Sequence, residues 1–459
     1  MNSVLLGVLL FIAFQLVLGV AVSRTVRNEE DYLLAGRSLG SGLVCLSVFA
    51  TWFGAETCIS SASGLYEKGL AGGAAEPFGY GLCIIFYGLA FAMPLWRRHL
   101  ITVADLFRDR FSAGVERLAV LILAVTSMFW AAAQIRAFGQ VLSASAGIEV
   151  ELTITLAAVV AMVYTSLGGL RADVITDVIQ GIVIIIGLVV LLVTVVGDLG
   201  GLHATWGRVD PDRLNLLESG RSVWALLETW AIPIFGSVVA QELASRTMAA
   251  RSGRIARNAT LLGGALYLLV GAIPAFLGLI GPSLIPDIGN PEQILPRLAQ
   301  SYLPTLGYII FAGALISAIL SSVDSALLAS SALISHNLVL PFCKNAGDRT
   351  KVRMARAGVW VCGLVSWGLA LSADTIYELV EASSAFGGAG MVVILVFGLF
   401  GRRGDHRAAY AALGAAMMAW GLASRIESYP APYLTSLVLG VIAYCAVAAL
   451  TAPGLKKIR

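Results

Sequence analysis

The sequence of 459 residues predicts an all-α polytopic membrane protein, and three observations carry that reading. Hydrophobic residues make up 58% of the chain and charged ones 13%, where a soluble domain carries roughly 25% charged. Apolar runs of about twenty residues recur along nearly the whole length, each able to cross ~30 Å of hydrocarbon as a helix. Stretches such as Ile182 to Val193 hold no polar side chain, so the alternation of a membrane β-barrel is absent. A soluble enzyme and a barrel are both excluded.

In chain order, thirteen runs are predicted to span: 3–22, 39–66, 73–96, 115–146, 151–167, 173–197, 222–243, 258–281, 304–340, 354–371, 376–400, 407–424 and 431–451. The first lacks a basic flank and a small-residue cleavage site, so it is expected to stay as a span. Alternate loops collect 24 of the 31 basic residues, from Arg24, Arg27 and Arg37 through Arg97, Arg171, Arg246 and Arg251 to Lys456 and Arg459. Cytoplasmic loops carry the Lys/Arg excess, which places the N-terminus outside and the C-terminus inside the plasma membrane.

Two runs are interrupted. The run 39–66 holds Thr51, Gly54, Glu56, Thr57, Ser60, Ser61 and Ser63 near its middle, and the run 222–243 holds Pro233, Gly236 and Ser237. Backbone freed in this way must line a cavity or bind something. A kinked helix packed by small residues is the plainer alternative. Each interrupted run opens a block of five spans, which points to an inverted-repeat secondary transporter with a midplane site. The expected organisation is one transmembrane domain over 1–459: a first span and inside loop at 1–38, repeats at 39–197 and 222–400, and two further spans at 401–459.

A carboxylate at a span's centre costs roughly 3 kcal/mol on insertion scales, yet Glu56, Glu76, Asp177, Glu242, Asp324 and Glu381 lie in or near apolar runs, as does Arg136. Structural ion pairing is one account of Glu381 and Arg136. Around Asp324, at 100° per residue, Ala318, Ser321, Ser322 and Ser325 form one stripe with Asp324 at its flank. Such oxygens suit a hard cation. The six cysteines form no CxxC pair and read as small hydrophobes, and the four histidines show no metal-ligand spacing. Gly36-Arg-Ser-Leu-Gly40 matches a nucleophile elbow but has no strand before it. The basic residues form no tract for nucleic acid.

Four motifs resemble the sodium:solute symporter family: Asp31-Tyr-Leu-Leu-Ala-Gly-Arg-Ser38, Ala50-Thr-Trp-Phe-Gly-Ala-Glu56, Gly168-Gly-Leu-Arg-Ala-Asp-Val-Ile-Thr-Asp-Val-Ile-Gln180 and Ser321-Ser-Val-Asp-Ser325. The resemblance implies a leucine-transporter-like core of five plus five helices. It implies one sodium held by the carbonyls of Ala50, Phe53 and Ala318 and the hydroxyls of Ser321 and Ser322. A second sodium would involve Asp177, Ser321, Asp324 and Ser325, where Asp324 stands in place of a hydroxyl and could instead admit a proton. Met128-Phe-Trp-Ala-Ala-Ala133 is similar to the high-affinity choline transporter branch, whose substrate cage maps to Trp52, Tyr80 and Trp130 and lacks a ring at Ala240. Glu56 and Glu76 lie close enough in sequence to these rings to add a charge partner, a structural ion pair being the alternative for either.

The resulting expectation is a sodium-coupled importer of a small organic solute, cationic or zwitterionic, such as choline. It needs no cofactor other than sodium as the coupling ion, and its partners are the solute, sodium and the lipid bilayer. Proton coupling through Asp177 and Asp324, sodium-coupled uptake of another solute such as an amino acid, and a membrane sensor input are the alternatives.

Overall fold

The structure is a computed structural model that describes residues 28–451, except 74, 217–221, 344, 345, 387 and 427, with a few isolated positions ahead of residue 28. The predicted span 3–22 therefore falls almost wholly outside the described residues. Among the described residues every named element is helical, and the only strand-like pairing is one isolated parallel bridge, Leu39 with Ala250.

The expected count of thirteen spans is not confirmed by the described residues. Seven described helices are long and apolar enough to cross a membrane, or nine if each of two bent pairs counts as one span. One of the seven, Val150–Asp198, contains two of the predicted runs, 151–167 and 173–197, divided at Gly169. There φ is 65°, and a Cβ would lie 2.6 Å from the Tyr32 ring, so the turn requires glycine. The run 73–96 forms the shorter helix Ala75–Ala90 followed by Ala92–Trp96.

Both bends fall where the sequence is interrupted. Ser41–Trp52 meets Glu56–Lys68 at 58°, and Val223–Val239 meets Gln241–Met248 at 50°. The second bend follows from Pro233, which cannot donate a helical N–H, and from Ala240, whose ψ of 123° is extended. The helix Thr305–Ala332 is buried continuously from Phe311 to Ala332 and lies against the first broken helix and the helices Ala113–Ala146 and Val150–Asp198. Its hydroxyls and Asp324 are buried along with its apolar side chains, so the helix is enclosed by protein on every side over this stretch.

At the basic end of the molecule a polar network ties three elements together. Asn337 Nδ2 donates to Asp105 Oδ1 at 2.9 Å and to Glu116 Oε1 at 2.8 Å, while Thr102 Oγ1 donates to Asn337 Oδ1 at 2.8 Å. Burial pushes the Asp105 carboxyl up, but hydrogen bonding and charge from His336, the Thr102 amide and Arg108 outweigh it and hold Asp105 below its ordinary value.

Candidate functional site

The first break frees backbone acceptors. In an unbroken helix Gly54 N–H would donate to Ala50 O; here it points to Glu56 Oε1 at 3.3 Å. Ala55 N–H, which would serve Thr51 O, donates instead to Gln134 Oε1 at 2.9 Å. Gln134 Nε2 in turn donates to Glu56 Oε2 at 2.7 Å. Glu56 and Gln134 thus clamp the opened turn. The carbonyl of Ala50 is met by Ser321 Oγ at 3.2 Å. Ser322 reaches the same point: a Cβ on Gly54 would lie 2.4 Å from its Oγ. Its one hydrogen bond, to Ala318 O, is long at 3.5 Å. Ala50, Phe53, Ala318, Ser321 and Ser322 are all buried, on the two elements that meet here. A hard cation takes carbonyl and hydroxyl oxygens of this kind.

One turn away lies a buried charge network. Arg246, 1% exposed, donates through Nη2 to Asp173 Oδ2 at 2.6 Å, to Asp177 Oδ2 at 2.9 Å and to Ser325 Oγ. Its Nε donates to Ser47 Oγ at 2.9 Å and its Nη1 to the Glu242 carbonyl at 3.1 Å. Ser47 and Ser321 both donate to Asp177. The residues expected around a second sodium are therefore split: Asp177, Ser321 and Ser325 gather about a guanidinium, while Asp324 accepts from Thr165 Oγ1 at 2.9 Å and leaves Oδ2 without a partner. Arg246, counted among loop charges from sequence, is an interior cation.

The three aromatic residues meet. Trp52 and Tyr80 lie 5.7 Å apart between ring centroids, Tyr80 and Trp130 5.7 Å, and Trp52 and Trp130 6.3 Å. The edge-on and tilted arrangements are those the ring quadrupoles favour. Ala240 borders the adjoining cavity of ≈ 20 Å³, together with Trp52, Trp130, Ser237 and Glu242; that is room for about one water. Tyr80 also lines a far larger vestibule of ≈ 540 Å³ bounded by Glu76, Glu228, Tyr377 and Glu381. Its hydroxyl is 2.9 Å from Ser384 Oγ, which is 3.1 Å from Ser237 Oγ. A hydroxyl chain thus holds the Tyr80 ring between vestibule and inner cavity.

Sequence reasoning missed Gln134, Arg246 and Ser384 as site residues and left Glu242 without a role. Arg246 was legible only as a basic residue four positions after Glu242, a spacing that places both on one helical face. Among the described residues Arg136 forms no salt bridge with a glutamate; it donates to the Ala370 and Asp374 carbonyls at 3.0 and 2.6 Å. Glu228 accepts from the amides of Tyr433 and Leu434, capping the last described helix.

A family profile described as "Sodium:solute symporter family" matches residues 32–416. A "High-affinity choline transporter 1" of Drosophila melanogaster is 28% identical over 396 residues, covering 81% of this chain and 63% of the relative's own length. A "High affinity choline transporter 1" of Homo sapiens is 28% identical over 419 residues, covering 86% of this chain and 71% of that protein. Among solved structures, a substrate-bound, outward-open Na+-coupled sialic acid symporter superposes with a TM-score of 0.86 at 22% identity, covering 98% of this chain and 97% of that one.

Proposed function

Because the chain belongs to the sodium:solute symporter family, we propose that it imports a small organic cation, driven by sodium bound at the first helix break. The observation that carries this reading is the joining of two chemistries in one turn. Ala50 supplies a carbonyl freed by the break, and Trp52, two residues on, supplies a ring face to the aromatic cluster. Rings attract an organic cation through their negative faces. The similarity to choline transporters supports the ammonium class. The vestibule is lined by residues of the loops that alternate with the basic ones, among them Gly72, Ser222 and Ser428, so by the positive-inside rule it would face outward and solute would enter through it.

Sodium would be held by the Ala50, Phe53 and Ala318 carbonyls and the Ser321 and Ser322 hydroxyls. A second sodium among Asp177, Ser321, Asp324 and Ser325 would have to share Asp177 and Ser325 with Arg246, so one sodium per cycle is the expectation. The test is uptake of labelled choline into proteoliposomes under an inward sodium gradient. Accumulation with sodium, absent with potassium, supports the proposal; equal uptake in both sinks it. Asp324, with Oδ2 unpartnered, is the specific reason to hold proton coupling as the second reading. Uptake driven by a pH gradient in sodium-free buffer would favour it.

A further inference from the structure

We infer that Glu242 is the charge partner of the transported cation, and that the chamber selects cations bearing an N–H on the charged nitrogen over quaternary ammonium ions. This rests on the transport reading of the same chamber and names its substrate class.

Glu242 stands in the first turn of Gln241–Met248, directly after the extended Ala240. It is 5% exposed, borders the cavity between Trp52 and Trp130, and its Oε2 has no hydrogen-bond partner. Among the described residues Arg246 forms no ion pair with its carboxylate: that guanidinium donates to the backbone carbonyl of Glu242 and directs its other contacts to Ser47, Asp173, Asp177 and Ser325. Glu56, by contrast, has both oxygens engaged by Gly54 and Gln134. Of the two, Glu242 is the one with an oxygen left for a ligand.

A buried, unpaired carboxylate is unfavourable unless a cation joins it. The small side chain of Ala240 leaves one wall of the cavity without a ring, and the carboxylate two residues later borders the same space. A protonated amine or a guanidinium for which this cavity widens would meet ring faces on one side and donate an N–H to Oε2 on the other, a charge-assisted hydrogen bond. A quaternary ammonium ion meets the same rings but has no N–H, so the acceptor stays unsatisfied in a closed chamber. Sites built to pair a buried polar group discriminate strongly against ligands that cannot. A betaine brings a second carboxylate beside Glu242 and is repelled.

Choline and N,N-dimethylethanolamine differ by one methyl replaced with a proton, and make the test. Binding of each to the purified full-length chain is followed in sodium by tryptophan fluorescence and thermal shift, with betaine as the third probe. The amine is expected to bind about tenfold or more tighter than choline, and betaine most weakly. Glu242→Gln should abolish the preference while the sodium-induced thermal shift persists, and Glu242→Asp should keep part of it. Choline binding as tightly as the amine in the unaltered protein, or a preference that survives Glu242→Gln, overturns the inference and leaves the ammonium reading intact. Should Glu242→Gln not fold, the unaltered protein's ranking of the three probes decides. Failure of both cations, with sodium-dependent binding of a sugar or carboxylate instead, overturns the ammonium reading itself.

Discussion

Replacing Ser322 with alanine separates a sodium ligand from a structural hydroxyl, because the structure asks little of that oxygen. Its single hydrogen bond, to Ala318 O, is 3.5 Å long, at the outer limit of a real one. Deleting it should cost the sodium-free protein no more than about 0.5 kcal/mol, the effect of a small lost contact. If Ser322 Oγ is one of five oxygens on the ion, the bound state loses a charge-assisted contact of about 1.5–3 kcal/mol. That corresponds to a rise of roughly tenfold to a hundredfold in the sodium concentration giving half-maximal uptake. Ser321→Ala is the contrast. Its hydroxyl donates to Asp177 and to Ala50 O, so its loss should also weaken the sodium-free protein. The assay is sodium-titrated uptake in proteoliposomes, paired with thermal unfolding without sodium. An unchanged sodium titration for Ser322→Ala would refute the placement of the ion at the break.

Trp52→Ala and Trp130→Ala are each expected to weaken solute binding about tenfold or more, equivalent to roughly 1.4 kcal/mol; equilibrium binding at saturating sodium that is unchanged in both would show the rings to be packing alone. Gly54→Ala should abolish sodium-dependent uptake, since its Cβ would sit 2.4 Å from Ser322 Oγ and 2.5 Å from Gln134 Oε1; normal sodium activation in a folded variant contradicts the geometry of the break. Arg246→Gln strands Asp173 and Asp177, and should destabilise the protein by about 3–5 kcal/mol, as loss of one partner of a buried ion pair does; a variant that unfolds at the same temperature refutes the interior role. In a double-mutant cycle, Ser321→Ala and Glu242→Gln should be non-additive in solute affinity by at least about 0.5 kcal/mol, and strict additivity would mean that the network between them carries no coupling.

The spans and their two breaks were legible because hydropathy is a one-dimensional property: Gly54 and Glu56 in one run, and Pro233 and Gly236 in another, stand out against apolar surroundings. The meeting of Trp52, Tyr80 and Trp130 was legible only through family resemblance, since no spacing brings three helices together. Arg246 was misread for a definite reason. It begins a series with Arg251, Arg254 and Arg257, and a count of loop charges does not register that the first of them turns inward to Asp173 and Asp177. Glu56 was assigned to the solute by its nearness in sequence to Trp52, but its direction is set by the amide that the break releases at Gly54. Gln134, neutral within an apolar run, raised no signal at all. The division between the runs 151–167 and 173–197 was legible too, and it falls at Gly169, where the backbone turns abruptly between two helical segments.

The same contacts bear on how ion and solute communicate. Ser321 Oγ has two acceptors, Ala50 O at the first break and Asp177 in the interior network. An ion at the break would take Ala50 O and a lone pair of Ser321 Oγ, which leaves the hydroxyl's proton to Asp177 alone, beside the contacts of Ser47 and Arg246 to the same carboxylate. Arg246 also donates to the carbonyl of Glu242 at the start of the second half-helix, the residue that faces the chamber. One unbroken series of polar contacts therefore joins the two broken helices. Coupling between two ligands is a shared free energy and is reciprocal, so a sodium that draws on Ser321 and a cation that draws on Glu242 each alter the same arginine. On the proposed reading a solute cation at Glu242 and a sodium at the break would approach an interior where Asp173, Asp177 and Asp324 surround a single arginine, and any coupling between them would run through the contacts of Arg246 and not through charge alone.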